Sequence, residues 1–190
     1  MKRAKTKMKS LFLFVIGLAA SAGSAACARA SAQTAKELVQ QFVIFDVEGK
    51  RLTPEGWYKA DALFARASQP SPNTNIVVIA THYAVSEATN GLATTEFYMG
   101  YEEIGRVDSS LRFVPSAPKV QTRTMRKYNV VRTEKANGSV KWKIEGSQPT
   151  EMHLIPEAAI RYLVEMRGKA NDSTVRKNAS QAIAALRKYE

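Results

Sequence analysis

The stretch ATTEFYMGYEEIGRV, residues 93–107, decides the fold of this chain. One face of it carries Phe97, Met99 and Tyr101, and the other carries Glu96, Tyr98 and Glu102. Because successive side chains of a β-strand point to opposite faces, this period of two predicts one long strand with a single buried face. Gly100 and Gly105 lie within it, and glycine inside a strand predicts a bulge or a sharp curve.

Further extended segments lie on both sides of this strand. Residues 75–86, 111–114, 119–133 and 140–144 are rich in β-branched and aromatic residues or alternate in polarity. Asn90-Gly91 and Asn137-Gly138 predict tight hairpin turns, since asparagine and glycine tolerate a positive φ angle. The sequence therefore predicts an antiparallel meander of about four or five strands.

Two helices are predicted before the sheet. Thr34-Ala35-Lys36-Glu37 has the capping-box pattern and begins a helix over residues 35–46. Thr53 and Pro54 supply an N-cap and a first-turn proline for a second helix, with Trp57 on its buried side.

Two more helices are predicted to close the chain. Pro156 begins one that runs to Met166 and is stopped by Gly168. Asp172 or Ser173 caps the last helix, whose apolar stripe is Val175, Ala179, Ala182, Ile183 and Leu186. A helix of this length is marginal alone in water, so the stripe docks either on residues 157–167 or on a partner, and we expect residues 157–167.

The predicted fold class is therefore α+β. N-terminal helices pack on a curved antiparallel sheet, and a C-terminal helical pair follows. We expect Trp57, from the helical layer, and Trp142, from the last strand, both to be core residues.

The first 32 residues have the pattern of a secretory signal peptide. Five cations precede an apolar run at residues 11–20, which fades into Ala, Ser and Gly. Small residues allow cleavage after Ala28, Ala30 or Ala32, and we expect cleavage after Ala32. The alternative is a lipoprotein signal with lipidation at Cys27. The prediction is an exported protein, periplasmic or secreted, which is lipid-anchored in the envelope only if Cys27 is modified.

Residues 33–190 are expected to form one domain. An α+β part covers residues 33–150, and a helical extension at 151–190 packs on it. Without the leader, the chain has 22 Lys and Arg against 17 Asp and Glu, a formal net charge of +5, and no cysteine. The modest charge does not favour nucleic acid as a partner. The absence of cysteine excludes disulfides and thiol chemistry.

Two segments of the chain carry a resemblance to a known superfamily. They are Gly49-Lys50-Arg51-Leu52-Thr53-Pro54-Glu55-Gly56-Trp57, between the helices, and Gly138-Ser139-Val140-Lys141-Trp142-Lys143-Ile144, at the end of the sheet. In this order of elements, residues 34–146 resemble the nuclear transport factor 2-like superfamily, also called SnoaL-like or cystatin-like. The resemblance implies a cone with a pocket between the helices and the concave sheet. Relatives use that pocket for small-molecule catalysis or for protein binding.

A pocket of this kind has four candidate lining residues: Trp57, His82, Tyr98 and Glu102. Tyr98 with His82 or Glu102 is the one acid–base combination that the pattern offers. Glu102 and Glu103 are adjacent in a strand and point to opposite faces, so they do not form a carboxylate pair.

The sequence contains few groups for catalysis. Only two histidines, His82 and His153, are present, and a zinc site of the usual kind is therefore not expected. We predict no catalytic residue and no cofactor. The preferred function is a non-catalytic module that binds a small molecule or an envelope protein. The alternatives are an isomerase or dehydratase that uses the cone pocket and, third, an adaptor to an anionic surface.

Overall fold

Two helices precede the sheet, as the caps predict. The computed structural model describes residues 33–70, 75–88, 95–116, 124–134 and 140–190. Helix α1 covers Ala35–Val47, and Thr34 and Glu37 form both hydrogen bonds of the capping box. A short 3₁₀ helix, Lys50–Leu52, leads to α2, Pro54–Asp61, where the Thr53 hydroxyl accepts a hydrogen bond from the Gly56 N–H. The leader with Cys27, and the turns at Asn90-Gly91 and Asn137-Gly138, lie outside the described residues.

Seven strands form one curled sheet. They are β1 Phe64–Arg66, β2 Ile76–Ala88, β3 Thr95–Val107, β4 Phe113–Pro115, β5 Thr124–Glu134, β6 Val140–Ser147 and β7 Met152–Leu154. Their order is β1-β6-β5-β3-β2-β7, and β4 also pairs with β3. The prediction of a purely antiparallel sheet is wrong, because β1 and β7 run parallel to their partners. These two strands have three residues each, too few to produce a readable period, and neither was predicted.

The sheet bends where its register is irregular. Val78 pairs with Gly105 and Ile79 with Glu103, so β3 has an extra residue at this point. A β-carbon on Gly105 would lie 2.5 Å from the Val114 carbonyl oxygen, so only glycine allows β4 to approach this closely. The predicted irregularity is confirmed at Gly105. Gly100 lies in regular register opposite both neighbouring strands.

Two helices follow the sheet and pack against each other. Helix α3 covers Pro156–Lys169 and α4 covers Ser173–Leu186, followed by a short 3₁₀ helix, Arg187–Tyr189. Asp172 caps α4, and the hydrogen bonds from the backbone N–H groups of Val175 and Thr174 lower the pKa of its carboxyl. The predicted stop at Gly168 is wrong, since α3 continues to Lys169. An exposed glycine costs a helix only about 1 kcal/mol.

The core consists of two apolar clusters. The first lies between α1 and the inner face of the sheet, and includes Phe97, Met99 and Tyr101 as predicted. The second contains Trp57 and the predicted apolar stripe of α4, in which Ala179, Ala182, Ile183 and Leu186 are buried. Trp142 packs at the margin of the first cluster and is only partly buried. The prediction that it is a fully buried core residue is therefore wrong. None of the helices in the described ranges has the length and apolar composition of a membrane span.

Candidate functional site

A buried polar cluster lies between the two apolar clusters. Its members are Asp46, Arg51, Gln148 and His153, all of them buried. Arg51 Nη1 lies 2.5 Å from Asp46 Oδ1, and Arg51 Nε donates to Gln148 Oε1 at 2.9 Å. The guanidinium also donates to the backbone carbonyls of Pro149 and Glu151. Each nitrogen of the Arg51 guanidinium therefore donates to an acceptor. A charged group removed from water needs such partners.

The Arg51 guanidinium also contacts one aromatic ring from each apolar cluster. It lies 5.1 Å from the centroid of the Phe42 ring and 5.2 Å from that of the Trp57 ring. Cation–π contacts at these distances are favourable, most of all when the cation is desolvated. Arg51 is thus the residue that joins the two halves of the core.

A line of three hydrogen-bonded side chains extends from the same cluster. His153 Nδ1 lies 3.1 Å from Asp46 Oδ2, and His153 Nε2 lies 3.2 Å from the Tyr101 hydroxyl. Glu151 Oε2 is 3.8 Å from the same Nε2. Burial, together with the carboxylates of Glu151 and Glu103, raises the pKa of Tyr101.

A carboxylate, an imidazole and a phenol in line are groups that can move a proton. Here the side chains of Asp46 and His153 are 0% and 1% exposed, so a substrate cannot reach them in this conformation. The aromatic rings of Phe42, Phe64 and Tyr128 pack edge to face between α1 and the sheet, with centroids 4.9 and 5.6 Å apart. We interpret the polar cluster as a structural cross-link.

A surface pocket of about 340 Å³ lies where the α3–α4 connection meets the sheet. We call it the helix-pair pocket. Its floor is apolar and consists of Ile76, Val107, Leu111, Tyr162, Met166 and Val175. Its rim is polar and includes Asn75, Asp108, Ser109, Lys169, Asn171 and Asp172. An apolar floor with a few polar groups around it is the usual character of a small-molecule site.

The floor of the helix-pair pocket carries backbone strain at one residue. Leu111 has a φ of 61°, the only positive value at a non-glycine residue in the described ranges. Its turn is held because Asp108 Oδ1 accepts from the N–H groups of Ser110 and Arg112. The Ser110 hydroxyl also donates to Asp108, and these hydrogen bonds lower the pKa of its carboxyl. Strain of this kind concentrates at functional sites.

The structure brings two of the four predicted site residues together. His82 Nε2 lies 2.8 Å from Glu102 Oε2, with side chains 75% and 48% exposed on the outer face of the sheet. The Tyr98 hydroxyl instead donates to Glu96 at 3.0 Å, which raises the pKa of Tyr98. Trp57 is buried in the second apolar cluster, and its indole Nε1 has no hydrogen-bond partner among the described residues.

Sequence reasoning missed both the polar cluster and the helix-pair pocket. Asp46 and His153 are 107 positions apart, and neither lies in a recognisable motif. The pocket is built from residues on β2, β3 and both C-terminal helices. Asn and Asp next to apolar residues near the ends of the predicted elements were the one signal that could have indicated the pocket. The same pattern is typical of ordinary turns, so it does not identify a site.

A second groove, of about 440 Å³, lies between α1 and β2. It is lined by Gln40, Val43, Ile44, Tyr83, Ala84 and Val85.

Metal binding has no candidate in the described ranges, where no three His, Cys, Asp or Glu side chains are grouped. No protein-family model, curated protein or solved structure matches this chain. The choice among these sites therefore rests on their geometry.

Proposed function

We propose that this chain is an exported, non-catalytic binding module and that its ligand is a small molecule bound in the helix-pair pocket. The observation that carries the proposal is the combination of a polar rim with an apolar floor that includes the strained residue Leu111. The volume of about 340 Å³ falls in the usual range for small-molecule sites, which begins at about 300 Å³.

The rim of the pocket favours a ligand that donates hydrogen bonds. Asp108 and Asp172 are ionised at neutral pH, and the hydrogen bonds that each carboxylate accepts lower its pKa further. Asp108 Oδ2 is also paired with Arg112 at 3.1 Å, so a ligand would bind to the lone pairs that remain on the two carboxylates. The Lys169 ammonium, which is also on the rim, lies 2.5 Å from Glu165 and is neutralised by it. The ligand class that fits is a compact apolar body carrying an amine or amide N–H.

We also propose that the curled sheet and α1 form a cone of the nuclear transport factor 2-like kind. Packing of α1 against the inner face of the sheet supports this proposal. The helix-pair pocket lies outside that cone, because its lining comes from the C-terminal helices and the strand ends beneath them. The proposed binding site is therefore an addition to the fold that the family resemblance implies.

Filling the pocket is expected to weaken ligand binding at least tenfold. The Val175→Trp variant places an indole over the apolar floor and should lower the affinity of binders from a library of aromatic amines and amides at least tenfold. The matched control is Ile44→Trp, which adds the same ring in the groove between α1 and β2. Affinities are measured by ligand-observed NMR, with thermal melting to confirm that both variants fold.

Four outcomes decide this test. Loss of binding in Val175→Trp alone supports the pocket. Equal loss in both variants, or loss in Ile44→Trp alone, moves the site elsewhere. A library with no binder at all contradicts the proposed ligand class.

The exported part of the proposal makes a separate prediction. Mass spectrometry of the mature protein from its own host should show an N-terminus at Gln33. A diacylglyceryl Cys27 would replace this with the lipid-anchored alternative, and recovery of Met1 would contradict export.

A further inference from the structure

The solvent side of α4 carries a concentrated positive charge. Arg176, Lys177, Arg187 and Lys188 are exposed, and no acidic side chain lies between Asp172 and Glu190, which flank this segment. A helix advances about 1.5 Å per residue, so these cations extend over about 18 Å of the surface. Their positions follow from the burial of Ala179, Ala182 and Leu186, which turns the opposite side of the helix to solvent.

A fifth cation joins them from the neighbouring helix. Arg167 on α3 donates to the Ser180 hydroxyl at 3.4 Å, which places its guanidinium beside α4. We call these five residues (Arg167, Arg176, Lys177, Arg187 and Lys188) the basic face.

Little in the described ranges neutralises the basic face. None of its five side chains is in an ion pair there, although Arg176 contributes to the low pKa of Asp172. By contrast, Lys59, Arg106, Lys127 and Lys169 are each within 4 Å of a carboxylate. Other exposed cations without an ion pair in the described ranges, such as Lys36, Arg66 and Lys141, lie on separate elements, whereas these five lie together on one helix pair.

We infer that the basic face docks on the anionic headgroups of a lipid bilayer. The row consists of two pairs, Arg176-Lys177 and Arg187-Lys188, with Arg167 beside the stretch between them. Its span of about 18 Å matches a surface that carries many negative charges side by side. Tyr189 lies at the end of the row with the Lys188 ammonium 4.9 Å from its ring centroid, and tyrosine is a residue favoured at the membrane–water interface.

The mode of attachment follows from the packing of α4. An amphipathic helix that inserts into a bilayer does so with its apolar side. Here that side is already buried against the rest of the chain. Binding is therefore electrostatic and reversible, and salt should release it, because the Debye length falls from about 10 Å at 0.1 M to about 3 Å at 1 M.

The test is sedimentation of the mature protein, residues 33–190, with vesicles of phosphatidylglycerol and phosphatidylcholine in equal parts, because the leader has cations and an apolar run of its own. A cation near an anionic surface contributes about 1 kcal/mol, a factor of about five in affinity. The variant Arg176→Gln/Lys177→Gln/Arg187→Gln/Lys188→Gln should therefore bind at least 100-fold more weakly. Vesicles of phosphatidylcholine alone should bind neither protein.

A matched variant separates the basic face from net charge. Lys36→Gln/Arg66→Gln/Arg132→Gln/Lys141→Gln removes four exposed cations from other parts of the surface. It should retain most of the vesicle binding at low salt. Far-ultraviolet circular dichroism and thermal melting confirm that both variants are folded.

Two results would overturn the inference. One is an equal loss of vesicle binding in the two four-residue variants, which would mean that total charge alone is responsible. The other is that the wild type does not bind the vesicles at low salt. If it then binds a single-stranded oligonucleotide through the same cations, the partner is a nucleic acid and not a bilayer.

Discussion

Replacing Arg51 with methionine is expected to lower the free energy of unfolding by about 3–5 kcal/mol. Methionine keeps much of the length of the side chain but leaves the Asp46 carboxylate buried without its counter-ion. Both side chains of this pair are 0% exposed, so water cannot replace the lost partner. The change should also remove both cation–π contacts and leave the acceptor oxygens of Gln148 and Pro149 without their donor. Urea denaturation followed by circular dichroism measures the loss.

Two further variants show whether the loss in Arg51→Met comes from its burial and from the unpaired charge. Lys50→Met breaks the neighbouring pair with Glu48, whose side chains are 52% and 42% exposed, and should cost less than about 1 kcal/mol. Adding Asp46→Asn to Arg51→Met should recover part of the loss, because the unpaired buried charge is then gone. If Arg51→Met costs no more than Lys50→Met, the polar cluster is not a cross-link of the core.

Truncating Trp57 to alanine is expected to cost about 3–5 kcal/mol, the usual range for a buried tryptophan. The ring is buried among the side chains that connect α2, the sheet and the C-terminal helices, and it also faces the Arg51 guanidinium at 5.2 Å. Its removal leaves a cavity that the surrounding elements cannot close. Thermal and urea unfolding both report the change.

Trp142→Ala is the matched comparison for Trp57→Ala. Trp142 is partly buried at the margin of the first cluster, so its loss should be less than half as large. Trp57→Phe should lose less than half as much unfolding free energy as Trp57→Ala. Phenylalanine keeps a ring in the site, and the Trp57 Nε1 has no hydrogen-bond partner to lose in the described ranges. Equal losses in the two alanine variants would contradict the two-cluster description of the core.

The elements with strong local signals could be predicted from the sequence. The alternation around Phe97, Met99 and Tyr101 placed the central strand and its buried face, and the side chains of Thr34 and Thr53 placed the starts of two helices. Each of these features depends on residues no more than a few positions apart. Local physics alone is enough to specify them.

The remaining features depend on contacts between distant residues. Strands β1 and β7 exist because their partners β6 and β2 are present, and three residues alone have no readable period. His153 looked no different from His82 in the sequence, yet one is buried against Asp46 and the other is exposed beside Glu102. The pocket likewise depends on the packing of α3 and α4 over the ends of β2 and β3.

Leu111 illustrates why the pocket could not be anticipated. Leucine is a poor choice for a positive φ angle, so the sequence predicts ordinary extended backbone at this position. The fold imposes the angle through the Asp108 turn and through Asn178 on α4, whose side-chain amide donates to the Ser110 carbonyl at 3.1 Å. Such strain is visible only in three dimensions.

We propose that the helix-pair pocket is the ligand site. The most direct test is an amide NMR titration of the wild-type protein with the tightest binder from the library of aromatic amines and amides. We expect the largest shifts at Ile76, Val107, Leu111 and Val175. Largest shifts at His82 and Glu102, or at Asp46 and His153, would contradict it and would favour a site on the sheet or in the buried polar cluster.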